Sequence, residues 1–215
     1  MEKNIQRKPL QVELTKEDRK ALAERYHFQE SDHSELDMLY TALYPLTEAE
    51  VCYRIWPELE KGKRAAICVV TLGAGVDALQ EIYTQSEEML NVYMLECIGS
   101  TMLEKAYKQV EQMLYEETGL HVSKYQFPGN ETAIEQVRSI LEEMSVHMED
   151  MPVSCNEACM MQPKKSVVYI VGLEKEKVET CICDTCQKKD CAHRQGKKRI
   201  VDYLGLTCDN KKKAI

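Results

Sequence analysis

The densest group of reactive side chains lies towards the C-terminal end, where Cys181, Cys183, Cys186 and Cys191 place four thiols within eleven residues. Thiolates bind soft and borderline metal ions, and four of them close a coordination sphere without help from distant residues. Tetrahedral zinc is satisfied by these four, or by three of them with His193. An iron-sulfur cluster takes the same ligands and would add electron transfer, and the spacing does not separate the two metals. Thiol-disulfide chemistry is a third use of such a cluster. The other cysteines are dispersed. Cys52, Cys68 and Cys97 read as buried thiols, while Cys155 and Cys159 lie four apart and would share one face of a strand.

Other candidate groups are weaker signals. Gly73 and Gly75 precede a helix whose free N–H groups can meet an anion, yet Gly-Ala-Gly is too short to define a phosphate loop. Pro128-Gly129 is the chemistry of a tight turn, since Pro sets φ and Gly allows it to be positive. Glu157, Cys159, Met160 and Met161 combine one carboxylate with soft, polarizable sulfur groups, a composition that also suits the irregular end of a buried strand.

These groups need elements to position them. Leu14 to Tyr26 has helical spacing of Leu14, Ala21, Leu22 and Tyr26, with Thr15 as N-cap and Asp18 three residues on; a second helix is expected from Asp32 to about Ala42. Ala49 to Trp56 and Arg64 to Leu72 are rich in β-branched and aromatic residues and are each followed by Pro or Gly, as strands are. Helices are expected over Ala74 to Tyr83 and Glu87 to Glu117, the second with Gly99 and Ser100 as small residues that let another element approach closely. His121 to Phe127, Val153 to Met160 and Ser166 to Leu173 read as strands, and Thr132 to Met148 as an amphipathic helix. Helices followed by mixed strands and helices indicate an α+β fold.

Composition excludes several classes. A net charge of −8 and a single Trp with two Phe argue against a nucleic-acid partner. No run approaches the roughly 18 apolar residues of a membrane span, and the first twenty residues have no apolar signal core, so a cytoplasmic protein is expected. Ten cysteines without a secretory signal point to metal, redox or buried thiols rather than a disulfide framework.

Three segments, in order, resemble the activation domain family of cobalamin-dependent methionine synthase. They are VTLGAGVDAL (Val70 to Leu79) with ECIGSTMLEKA (Glu96 to Ala106), the Phe127-Pro128-Gly129 turn, and NEACMMQPKKSVVYIVG (Asn156 to Gly172). They fall within roughly half the chain, Arg64 to Gly172. The resemblance implies a curved antiparallel sheet with flanking helices that binds S-adenosylmethionine and closes over a corrinoid held by another domain. There, cobalt that has slipped to cob(II) is reduced by an external electron donor and remethylated from the sulfonium. It implies cofactor contacts at Lys124, Tyr125, Phe127, Pro128, Gly129 and Asn130, and a corrin-facing surface at Glu157, Cys159 and Met160. The family loop is similar to Arg-x-x-Pro-Gly-Tyr; here Tyr125 stands at the Arg position and Asn130 at the Tyr position, with Lys124 as the neighbouring cation.

The expectation is therefore an α+β domain over residues 1–173, its first 60 residues mainly helical, and a Cys-rich, metal-binding segment over residues 174–215. Such a chain would reactivate a corrinoid methyltransferase in concert with a corrinoid protein and an electron donor. A rival expectation is a metal-stabilised binding module of the same fold that has lost S-adenosylmethionine binding.

Overall fold

The structure, a computed structural model, describes residues 5–56, 64–130, 132–144 and 151–178. An antiparallel sheet divides the molecule into three layers. Its strands are β1 (Ile5–Pro9), β2 (Glu50–Ile55), β3 (Arg64–Thr71), β4 (His121–Gln126) and β7 (Ser166–Glu174), in the spatial order β1-β2-β3-β7-β4. The sheet is open, neither closed nor strongly curled. β3 and β7 are central and almost wholly apolar because both of their faces are covered.

Strand alternation sorts the core into two. Ala66, Cys68 and Val70 face a layer made by α1 (Lys16–Arg25), α2 (His33–Leu43), α3 (Gly75–Gln85) and α4 (Met89–Thr118). Along α4, Met94, Ile98, Met102, Ala106, Val110 and Leu114 form the buried stripe, and Gly119 ends the helix at φ +67°. The expected cap of α1 is present: Thr15 Oγ1 accepts from Asp18 N at 3.1 Å, and Asp18 Oδ2 accepts from Thr15 N at 2.8 Å.

On the opposite face, Cys52, Ile67, Val69 and Val168 pack against α5 (Gln136–Met144) and a small hairpin of β5 (Ser154–Cys155) and β6 (Met161–Gln162). The expected single strand Val153 to Met160 is thus two short strands around a turn. Asn156 explains this: its Oδ1 accepts from Met160 N at 3.0 Å and its backbone N donates to Met160 O at 3.1 Å, a local alternative to an extended ladder. α5 starts later than periodicity suggests because Thr132 is engaged in the preceding turn, where its carbonyl accepts from Gly129 N at 2.8 Å. The N-terminal region holds more than helices. Its edge strand β1, Ile-Gln-Arg-Lys-Pro, is too polar to read as a strand and is held by the β2 ladder and an Arg7–Glu50 ion pair at 2.5 Å.

No helix among the described residues is long and apolar enough to cross a membrane. The four clustered cysteines Cys181, Cys183, Cys186 and Cys191 lie outside the described residues.

Candidate functional site

Two of the expected groups meet at the start of α5. After β4 the chain turns through Phe127 to Asn130, with Asn130 N donating to Phe127 O at 3.1 Å and Gly129 at φ +90°, a conformation that L side chains rarely adopt. Ile134 packs over this turn so closely that a Cβ on Gly129 would lie 2.9 Å from Ile134 Cδ1. One turn further on, Arg138 Nη2 donates to Asn156 O at 3.3 Å and Glu157 O at 3.1 Å. Pro128-Gly129 and the turn from Asn156 to Met160 thus flank the same stretch of chain.

Within that second turn the side chains divide. Glu157 is exposed and Met160 is 64% exposed, whereas Cys159 and Met161 pack in the second core. Cys159 takes φ +59°, which turns the chain back towards β6. The soft run is therefore outward surface at Glu157 and Met160 and packing at Cys159 and Met161.

Lys124 and Tyr125 are consecutive on a strand and point to opposite faces. Lys124 is exposed, whereas Tyr125 is buried among aromatic rings. Its ring stacks on Phe127 at 6.0 Å and lies 5.7 Å from Tyr169, which in turn meets Tyr107 edge-on at 5.3 Å. Tyr125 Oη donates to Glu111 on α4. Burial, reinforced by the Glu111 carboxylate, holds the Tyr125 phenol far above its ordinary range. Burial also raises Tyr169, whose hydroxyl faces the Cys68 thiol and makes no hydrogen bond of ordinary geometry, and pushes Cys68 up to about 12. All three stay protonated at neutral pH, so this cluster is packing filled by its own side chains.

That arrangement bears on S-adenosylmethionine. The sequence resemblance puts a fork-shaped cation for the ligand carboxylate at position 125, and there the structure has an inward-facing phenol bonded to a carboxylate. The residues from Lys124 to Asn130 do not fit a bidentate clamp; an exposed lysine and the backbone of the turn remain.

A further polar group escaped the sequence reading. Lys165, at the foot of β7, is buried; its Nζ donates to Glu96 Oε1 and to Ser100 Oγ, the latter at 2.9 Å. Lys164 N donates to Asp77 Oδ2 at 2.9 Å, and Leu72 N donates to Lys165 O at 3.0 Å. Gly99 makes the space: a Cβ there would lie 2.9 Å from Lys165 Cε and 3.2 Å from Val76 Cγ2. The small pair Gly99-Ser100 was the visible signal, and Lys165 is the side chain that approaches it. These bonds tie the segment after β6 to α3 and α4.

No family model matches the chain, and no curated protein matches it. Among solved structures, it is similar to the MetH reactivation domain bound to AdoHcy, with a TM-score of 0.57 and 9% identity over 82% of this chain and 80% of that one. At that identity the likeness is one of fold: helices packed on an antiparallel sheet in an α+β arrangement.

Proposed function

We propose that this chain acts as an activation-domain-like unit serving a cobalamin-dependent methyltransferase of the methionine synthase type, supporting reductive reactivation of its corrinoid with S-adenosylmethionine as methyl donor. The observation that carries this reading is the fold likeness, across 82% of the chain, to a reactivation domain bound to AdoHcy. The reactive chemistry is the cofactors', and the chain's share is positioning. Arg138 fixes the turn that presents Glu157 and Met160 outward, a fit surface for a corrinoid-bearing partner. The cysteines at 181, 183, 186 and 191, with zinc or an iron-sulfur cluster, belong to the same reading as a candidate route for the electron.

The buried phenol at position 125 favours a second reading, a metal-stabilised binding module of the same fold that docks without the nucleotide. One pair of measurements separates them: calorimetry of the intact chain with S-adenosylmethionine and with AdoHcy, and co-purification with a cob(II)-loaded methyltransferase. Loss of a charge-assisted fork weakens affinity by roughly ten- to a hundredfold, so the first reading expects weak nucleotide binding together with association. Association alone supports the second reading. Neither nucleotide binding nor association would overturn both.

A further inference from the structure

Between α1 and α2 the surface folds into a cleft of about 320 Å³, on the side of the sheet away from α5 and the hairpin. That volume falls in the range of small-ligand sites, which start at roughly 300 Å³. Its lining sets Lys16, Arg19 and Lys20 against Glu17 and Asp37, with the His33 ring beside them. Cations outnumber carboxylates here, in a chain whose net charge is −8.

Only one of these cations is neutralised. Arg19 Nε donates to Asp37 Oδ1 at 2.6 Å, Arg19 Nη1 donates to Leu14 O at 2.7 Å, and the guanidinium lies 4.7 Å from the Tyr40 ring centre, so this side chain is a fixed wall. The side chains of Lys16, Lys20 and His33 make no hydrogen bond or ion pair with any described residue. The placement of the two lysines works against folding. Lys16 opens α1, the helix end where positive charge is disfavoured, and Lys16 and Lys20 stand one turn apart as like charges. An anion between the two lysines would relieve both costs.

We propose that this cleft binds a compact phosphorylated ligand of the diphosphate class, contacted by Lys16, Lys20 and His33. Two ammonium groups on successive turns, their Cβ atoms roughly 6 Å apart, suit two linked anionic groups better than a single carboxylate. Glu17 at the rim can accept from a hydroxyl of the same ligand.

The site goes beyond the corrinoid reading and does not depend on it. The test is calorimetry of inorganic pyrophosphate with the full chain at constant ionic strength. The parent is expected to bind with a Kd below about 1 mM, and Lys16→Gln and Lys20→Gln each to weaken binding by about five- to tenfold. Both positions are exposed, so the fold should hold, checked by an unchanged thermal midpoint. Lys108→Gln, on the exposed side of α4, is expected to leave binding unaltered. Absence of binding, or binding that Lys16→Gln and Lys20→Gln leave intact, overturns the proposal. Equal weakening by Lys108→Gln would do so too, because it marks general charge attraction.

Discussion

Removing either member of the Lys165–Glu96 pair should cost the protein very different amounts. The Lys165 side chain is 7% exposed and that of Glu96 44%. In Lys165→Met, a stem of similar length still packs against Gly99, and the Glu96 carboxylate rehydrates where it stands. The loss is two charge-assisted hydrogen bonds, about 1–3 kcal/mol. In Glu96→Ala, the ammonium remains enclosed with Ser100 as its surviving partner among the bonds described, and leaving a buried charge uncompensated costs about 3–5 kcal/mol. The double variant should lie close to Lys165→Met, since removing both charges leaves no orphan, which makes the pair strongly non-additive. Urea unfolding followed by circular dichroism measures all three, and amide exchange at Lys164 and Lys165 should quicken in each as this segment loses its tie to α4. Equal costs for the two single variants, or strict additivity in the double, would refute the reasoning by showing that the lysine is as well hydrated as an ordinary surface group.

Three more expectations follow from particular residues. Burial pushes Cys52 and Cys97 up to about 11 and Cys68 to about 12, from ordinary values of 9. A thiol with a raised folded-state pKa contributes stability that is complete below about pH 9 and is lost as pH rises through 11–12, so the thermal midpoint should be level from neutral pH to about 9 and fall beyond it. A midpoint level up to pH 11 would contradict this. Sequence reasoning alone suggests that Tyr125→Arg restores a carboxylate fork, but the structure expects the guanidinium to turn inward towards Glu111 and to break the aromatic packing, lowering stability by about 2–4 kcal/mol without tightening S-adenosylmethionine binding; calorimetry together with urea unfolding checks both halves. For the cysteine cluster, metal analysis of anaerobically purified protein should find near-stoichiometric zinc or iron that Cys186→Ser reduces, and a metal content below about a tenth of an equivalent would end that expectation.

The parts of this protein that could be read directly are those settled over a few residues. The Thr15–Asp18 capping box, the buried stripe of α4, the apolar runs of β3 and β7 and the Pro128-Gly129 turn all rest on neighbours within one or two turns of chain. The soft segment Asn156 to Met161 was visible as a group, but not as a turn with two outward and two inward side chains, because a single Asn side chain competing for backbone N–H groups decided it. β1 was missed for the opposite reason: an edge strand that buries little carries no apolar signature and owes its form to β2.

The sequence by itself determined the α+β class, most element types, and which residues have the chemistry to matter. Tertiary structure alone decided the strand order β1-β2-β3-β7-β4, the facing of Tyr125 into the rings and of Lys124 towards water, and the partnership of Lys165 with Glu96, 69 residues apart. Strand phase has a period of two, so a shift of one residue exchanges a buried phenol for an exposed ammonium, and the choice is made by whichever register buries more apolar surface against α4. The partner of a buried charge is likewise set by what the folded chain brings within a few ångströms of it, and a pairing across 69 residues leaves no periodic mark on either segment.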